Sequence, residues 1–319
     1  MTGGGNRKLL VIDVAALSFG VAHGDLHGGM IETVFPALTC PVQASFRTAS
    51  FPDSHGVVAN GFFRRDLRRA MFWEQSARLV SGRRIWGGFR AAGGKVAMLF
   101  WQQSLGEDAD VILSPAPIHK HHGGMIEDCY SQPAGLYDRL CRTIGRRFKL
   151  RQYWGPMASA KVGRWIVEAT LAVLTDPELA PGLCLTYLPT ADYDLQRKDP
   201  SDPAVQSAVG AAVNDQLAQL IDGARSLGYE IVLFGDYRIA PVARAALPNL
   251  ALAQAGLLKT RPVKDMLYPD LHTSRAFAMV DHQIAHVYAF GEDDAAEARA
   301  VLAELPGVAE VMDRQGQGL

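Results

Sequence analysis

The sequence lacks the charge, cysteine and hydrophobic patterns that mark several specialised classes of protein. Its 319 residues carry 32 Lys and Arg against 33 Asp and Glu, and without a basic excess we expect neither a nucleic-acid polymer nor a membrane surface as a partner. The four cysteines form no CxxC pair, which indicates free thiols in a reducing compartment. No apolar run approaches the roughly twenty residues that a membrane-spanning helix needs.

The apolar run near the N-terminus is short. Asp13 interrupts KLLVID (8–13), and no small-residue cleavage site follows it. We therefore interpret this run as a first strand and not as a signal peptide, and we predict a cytoplasmic protein.

Buried strands and amphipathic helices are predicted to alternate along most of the chain. Near-continuous apolar runs predict strands over 8–13, 95–102, 110–115, 183–189 and 229–236. Amphipathic patterns predict helices over 64–81, 134–147, 160–175, 204–227 and 241–257. This order indicates an α/β fold with a mostly parallel sheet sandwiched by helices.

The C-terminal part has a pattern of its own. A strand over 276–290, a helical segment and a strand over 307–313 predict a small strand-helix-strand unit. We therefore predict a main α/β domain over residues 1–275 and a small α+β unit over 276–319, inserted in or packed on the same domain.

Three aspartates follow predicted strands at the points where the strands end. Asp13 ends the first strand, Asp236 ends the strand 229–236, and Asp192 comes shortly after the strand 183–189. Parallel strands place their carboxyl ends at one edge of the sheet, where ligands bind. Neighbouring carboxylates repel one another unless a cation neutralises them, which indicates a divalent metal site. The alternative is that each aspartate caps a helix or shapes a turn.

Thr39 lies in the segment FPALTCPVQASFRTASFPDSHGVVANGFF (35–63). Pro41 suits the first turn of a helix, which would place Thr39 at a helix N-terminus, where anions bind. A threonine hydroxyl needs an activator at neutral pH, and a metal ion at the strand-end aspartates would lower the pKa of its oxygen. Thr39 is therefore a candidate nucleophile, with a helix N-cap as the alternative.

The segment 35–63, with the preceding VID, resembles the alkaline phosphatase superfamily, in its nucleotide pyrophosphatase/phosphodiesterase (type I phosphodiesterase) branch. The resemblance continues through 187–200, 232–242 and 276–290. It implies an alkaline phosphatase-like fold and a metal-dependent hydrolase of phosphodiesters or nucleotide pyrophosphates, with a threonine nucleophile and a phospho-enzyme intermediate. The implied partner is a small phosphorylated substrate.

The same resemblance implies two divalent metal ions, normally zinc with manganese as the alternative. Thr39 matches the nucleophile, which also binds metal, and Asp13 and Asp236 match ligands of the metal that activates it. Asp192 matches a ligand of the second metal. Asn60 matches an asparagine that donates to a non-bridging phosphate oxygen.

The chain departs from the branch at the second metal site. Gln196 and Tyr237 stand where the branch has metal-binding histidines, and we predict both as variant ligands, although they bind zinc less well than imidazole does. A further histidine segment expected near the C-terminus does not occur before Leu319, so we expect a C-terminally shortened chain. An alternative function stays open: a non-catalytic phosphate- or nucleotide-binding member with an incomplete second metal site.

Five other histidines are candidates for a role in the site. His119, His121 and His122 lie in a Gly-rich loop and are predicted either to bind metal or to border the substrate pocket. His282 and His286 are predicted to lie on one face of a strand, where they either pack structurally or replace the missing histidine.

Overall fold

The computed structural model describes residues 7–17 and 26–313. The chain divides into two compact units: the first contains the residues up to Val57 together with Gln75–Pro241, and the second contains Val58–Glu74 and the residues from Val242 onward. The predicted boundary after residue 275 differs from this division, because a hairpin within 58–74 packs with the C-terminal strands. None of the described helices is long and apolar enough to cross a membrane.

The described residues form fourteen β-strands. They are β1 (Lys8–Val14), β2 (Gly61–Arg64), β3 (Arg69–Phe72), β4 (Val96–Leu99), β5 (Val111–Pro115), β6 (Ile118–His119), β7 (Met125–Ile126), β8 (Cys129–Gln132), β9 (Leu183–Leu188), β10 (Tyr229–Gly235), β11 (Thr260–Val263), β12 (Met266–Pro269), β13 (Ala276–Asp281) and β14 (Ile284–Ala289).

The described residues also form nine α-helices, numbered in chain order. They are α1 (Thr39–Thr48), α2 (Pro52–His55), α3 (Gly87–Ala91), α4 (Leu136–Ile144), α5 (Lys161–Thr175), α6 (Thr190–Leu195), α7 (Pro203–Ser226), α8 (Pro248–Gln254) and α9 (Glu292–Ala303). Short 3-10 turns occur at Ala77–Leu79 and Leu150–Gln152.

A six-stranded sheet in the order β10-β1-β9-β4-β5-β8 forms the centre of the first unit. The five strands predicted from apolar runs are its parallel members, and β8 pairs antiparallel with β5. The prediction of a mostly parallel sheet is therefore confirmed. β1 lies between β10 and β9, so its carboxyl end is flanked by the ends of two parallel neighbours.

Buried clusters of side chains cover both faces of this sheet, which explains why the sequences of its strands are continuous apolar runs. Leu10 and Ile12 of β1 pack in a buried cluster with residues of α4, α5 and α7. Val11 points to the opposite face, in a cluster that contains Trp86 and Trp101 and contacts Phe46 of α1. The predicted helices 134–147, 160–175 and 204–227 correspond to α4, α5 and α7.

Four predicted segments that lie wholly or partly in the second unit differ from the structure. Residues 64–81, predicted as a helix, instead form the end of the β2-β3 hairpin and the turn Ala77–Leu79, because Phe63 packs against Phe277 and Tyr288. The predicted strand 276–290 is the hairpin β13-β14. Residues 307–313, predicted as a strand, form no strand, so the C-terminal part is a hairpin followed by a helix. The predicted helix 241–257 is reduced to α8.

Candidate active site

Three aspartates come from three neighbouring strand ends of the first unit. Asp13 lies in β1, opposite Phe234 of β10 and Tyr187 of β9. Asp236 follows β10 directly, and Asp192 lies in α6, just after β9. Side chains alternate between the faces of a strand, so Asp13 points to the same face as Val11, which is the face that α1 covers. The strand order thus brings the carboxylates to the carboxyl edge of the sheet.

Thr39 is the first residue of α1, and its hydroxyl is engaged by one of these carboxylates. Thr39 Oγ1 donates to Asp236 Oδ2 over 2.9 Å, and the residue is 1% exposed. Leu38 occupies the N-cap position and provides no side-chain cap. Thr39 is therefore not the N-cap; it stands in the first turn of a ten-residue helix, whose free N–H groups attract negative charge.

Gln43 is a site residue that the sequence analysis missed. Its Nε2 donates to Asp13 Oδ2 over 2.7 Å, and its Oε1 accepts from the main-chain N–H of Gln102 over 2.7 Å. Gln43 follows Thr39 by four residues on α1, so both side chains lie on one helix face. That spacing, applied to a helix that begins at Thr39, was the signal that could have identified it.

The two innermost carboxyls are difficult to ionise in the absence of a cation. Asp13 and Asp236 are both 0% exposed. Burial raises the pKa of Asp13 well above its usual value, the charge of Asp236 adds to this, and the hydrogen bond from Gln43 opposes it. Burial also raises the pKa of Asp236 to about 7, against hydrogen bonds from the Ala16 N–H and Thr39. A positive charge beside this pair would stabilise both carboxylates.

One oxygen of this pair shows where a cation would fit. Asp13 Oδ1 is buried and has no hydrogen-bond partner among residues 7–17 and 26–313. A buried carboxylate oxygen without a donor is unfavourable unless a cation satisfies it. Asp13, Asp236 and the Thr39 hydroxyl therefore form an oxygen donor set that fits a divalent cation.

Asp192 has a different environment. Tyr237 donates its hydroxyl to Asp192 Oδ1 over 2.6 Å, and Gln196 Nε2 donates to the same oxygen over 2.7 Å. Burial and the charges of Asp236 and Asp192 raise the pKa of Tyr237 well above its usual value, so the phenol keeps its proton. The predicted metal ligands Gln196 and Tyr237 are thus hydrogen-bond donors to Asp192 in this structure.

The described part of the chain contains no group of three His, Cys, Asp or Glu side chains arranged to hold one metal ion. A metal site at the three aspartates stays a prediction. Asp13 and Asp236 lie together in the structure, and Asp192 accepts hydrogen bonds from Tyr237 and Gln196.

Asn60 belongs to the second unit, where a buried carboxylate holds it. Asp281 Oδ2 accepts from the main-chain N–H of Asn60 over 2.7 Å, and Asp281 Oδ1 accepts from its side-chain amide over 3.3 Å. The main-chain carbonyl of Asn60 accepts from the N–H of Trp73. Its predicted contact with phosphate stays a prediction.

The five candidate histidines lie in three places. His119 is the last residue of β6, and His121 and His122 are exposed in the turn that follows it. His282 lies in the turn between β13 and β14, with its Nδ1 2.8 Å from Asp281 Oδ1. His286 lies on β14, with its Nε2 3.0 Å from the carbonyl oxygen of Val58. The expectation that His282 and His286 share a strand face was wrong, because the segment folds back at His282.

Comparison with known families decides the assignment. A sequence profile described as "Type I phosphodiesterase / nucleotide pyrophosphatase" matches residues 24–316. The chain belongs to this family. Proteins of this family hydrolyse phosphoester bonds, so this protein is a hydrolase of that class. The match confirms the resemblance inferred from the segment 35–63. A search among functionally curated proteins gave no significant match.

Solved structures of the alkaline phosphatase superfamily share the fold of this family member. Phosphonoacetate hydrolase from Sinorhizobium meliloti 1021, in complex with phosphonoacetate, has a TM-score of 0.62 at 17% identity, covering 97% of this chain and 76% of the other. Murine ectonucleotide pyrophosphatase/phosphodiesterase 5, in an inactive threonine-to-alanine variant in complex with AMP, has a TM-score of 0.59 at 15% identity, with coverages of 93% and 69%. At these identities the likeness establishes the alkaline phosphatase-like fold alone.

Proposed function

We propose that this protein hydrolyses phosphodiesters or nucleotide pyrophosphates and that Thr39 is the nucleophile. The observation that carries the proposal is the hydrogen bond of 2.9 Å from Thr39 Oγ1 to Asp236 Oδ2. It holds a buried hydroxyl at the N-terminus of α1 beside a carboxylate that can accept its proton. The inactive threonine variant of the murine structure supports a reactive threonine in this fold.

In the proposed reaction, Thr39 Oγ forms a bond to phosphorus while the bond to the leaving oxygen on the opposite side breaks. The hydroxyl proton passes along the hydrogen bond toward Asp236 Oδ2. Water then attacks phosphorus, the bond from Thr39 to phosphorus breaks, and Thr39 regains a proton. The first-turn N–H groups of α1 favour the negative charge of the phosphoryl group.

Asp13, Asp236 and Thr39 are the residues that would hold a divalent cation at this site. Such a cation would neutralise phosphoryl charge and lower the pKa of the attacking hydroxyl. Zinc is the metal implied by the resemblance, and manganese is the alternative. The cytoplasmic location expected from the sequence stays a prediction.

Substitution of Thr39 tests this proposal. We expect Thr39→Ala to lower hydrolysis of a chromogenic phosphodiester at least a hundredfold, because the nucleophile is removed, with circular dichroism and melting temperature nearly unchanged. Thr39→Ser keeps a hydroxyl and should retain measurable turnover. Thr48→Ala is the matched control: Thr48 lies on the same helix and donates to the carbonyl of Ala44. Full activity of Thr39→Ala would contradict the proposal.

A second candidate function is supported by the surroundings of Asp192. Because Tyr237 and Gln196 donate to it, a non-catalytic member could bind a phosphate or nucleotide at the α1 N-terminus without turning it over. Calorimetry with AMP separates the two functions when combined with the chromogenic assay. Binding without hydrolysis, unchanged in Thr39→Ala, would favour the binding protein.

A further inference from the structure

The hairpin of β11 and β12 exposes a row of large apolar side chains. No other described strand pairs with these two strands, and all of their residues are exposed. On β12 the exposed fraction is 62% for Met266, 70% for Leu267 and 43% for Tyr268. A two-stranded hairpin without a packed face is marginally stable in water, and an exposed apolar strand edge is a site where another strand can pair.

The register of the hairpin shows which main-chain groups face outward. Val263 is opposite Met266 across a two-residue turn. At the base of the hairpin, the N–H of Asp270 donates to the carbonyl of Lys259 over 2.8 Å. Opposite residues of an antiparallel pair alternate between hydrogen-bonded and non-hydrogen-bonded pairs. Leu267 precedes Asp270 by three residues and therefore lies in a non-bonded pair, so its N–H and C=O point away from β11.

The two edges of the hairpin differ in their capacity to pair. On β11 the residue opposite Leu267 is Pro262, which has no N–H to donate, and a proline on a strand edge hinders pairing. On β12, Leu267 offers both a donor and an acceptor. Two copies of the β12 edge that meet antiparallel about a two-fold axis at Leu267 satisfy each other, because each N–H meets the C=O of the other copy.

The same two-fold arrangement matches the side chains of the two copies. With Leu267 opposite its own counterpart, Met266 lies opposite Tyr268 of the second copy, so that apolar side chains cover one another. The turn of each hairpin then lies beside the base of the other. This places Lys264 beside Asp270 of the second copy at both ends of the interface, and these opposite charges favour the antiparallel register.

We propose that the β12 edge is a homodimer interface, in which two copies of this chain join their hairpins into one four-stranded antiparallel sheet. The occupant of the exposed hairpin is thus a second copy of the chain. An interface made of one hairpin from each copy is smaller than the roughly 1,200 Å² of standard interfaces, so we expect a weak dimer with a micromolar dissociation constant. The inference rests on no residue of the proposed active site.

Sedimentation velocity of the full chain, from roughly 1 to 200 μM, tests this inference. We expect the sedimentation coefficient to rise from that of a monomer to that of a dimer. Leu267→Pro removes the outward donor but no hydrogen bond within the hairpin, so it should weaken association about tenfold or more. Thr260→Pro is the matched control: Thr260 lies in the non-bonded pair with Pro269, and its N–H points outward on the other edge. This control should associate like the unaltered chain.

A mixing experiment tests the register of the two hairpins. In Lys264→Asp, and separately in Asp270→Lys, like charges meet at both ends of the interface, so each variant alone should associate more weakly than the unaltered chain. An equimolar mixture of the two variants has opposite charges at both ends and should form heterodimers. A monomer at every concentration, equal association of the two proline variants, or a mixture as weak as its components would overturn the inference.

Discussion

At the scale of single residues, neutral amides determine how the buried carboxylates are held. Gln43 satisfies one oxygen of Asp13 and is itself fixed by the main chain at Gln102. The sequence could not predict this contact, because Gln102 lies 59 residues away from Gln43 in the chain. Conversely, Gln196 and Tyr237 were predicted at the site, but the hydrogen bond from Tyr237 to Asp192 joins residues that lie 45 positions apart in the chain.

His55 makes the free energy of unfolding depend on pH. Its ring lies 2.9 Å from Ser45 Oγ, and its Nδ1 accepts from the Val57 N–H. Burial, together with the charge of Arg47, lowers the pKa of His55 to about 4 from about 6.5. The folded state therefore binds this proton less readily than the unfolded state does. The contribution of His55 to the free energy of unfolding is therefore fully present above pH 6.5 and is lost as the pH falls from 6.5 toward 4.

Denaturant unfolding at pH 8 and at pH 4.5 measures this effect. We expect His55 to contribute up to about 3 kcal/mol to the loss of unfolding free energy between these values. In His55→Gln that loss should be smaller by most of this amount. His121→Gln, at an exposed histidine, is the control and should behave like the unaltered chain. An equal loss in His55→Gln and the unaltered chain would show that His55 does not titrate in this way.

At the scale of secondary-structure elements, the end of β10 depends on a glycine. A Cβ added at Gly235 would lie 2.8 Å from both the carbonyl oxygen and the Cβ of Leu17. This close approach lets the next residue, Asp236, accept from the N–H of Ala16 over 3.0 Å. The backbone at Leu17 cannot move away without breaking that contact.

We therefore expect Gly235→Ala to destabilise the protein by about 1–3 kcal/mol and to weaken metal binding. Gly88→Ala is the matched control, since nothing lies within 4 Å of a Cβ at Gly88 and the position is helical. Its unfolding free energy should be unchanged or slightly higher. Chemical denaturation of both variants gives the comparison, and equal stabilities would contradict the role assigned to Gly235.

Some secondary-structure elements could be predicted from the sequence and others could not. The parallel strands were predictable because burial on both faces leaves a continuous apolar run, as in β1 and β9. The prediction of a helix over 64–81 was wrong. It relied on arginines spaced as on one face of a helix, whereas the packing of Phe63 on Phe277 and Tyr288 determines the local structure. Those partners lie more than 200 residues away, where periodicity carries no information.

At the scale of the whole molecule, the chain builds its second unit from two distant segments. Arg68, in the segment 58–74, donates to the carbonyls of Leu271, His272 and Ser274 and stacks 3.8 Å from the ring centre of Phe290. The linear boundary after residue 275 could not anticipate this arrangement. The resemblance of the segment 35–63 predicted the family correctly, whereas the partition of the chain into units depended on such non-local contacts.

Direct detection of a covalent intermediate on Thr39 tests the central claim. The protein is mixed with metal and a phosphodiester substrate, quenched in acid during steady-state turnover, digested and examined by tandem mass spectrometry. We predict an adduct of the substrate's phosphoryl group on Thr39, absent in Thr39→Ala and present in Thr48→Ala. Turnover with no adduct on Thr39, or with an adduct on another residue, would contradict it.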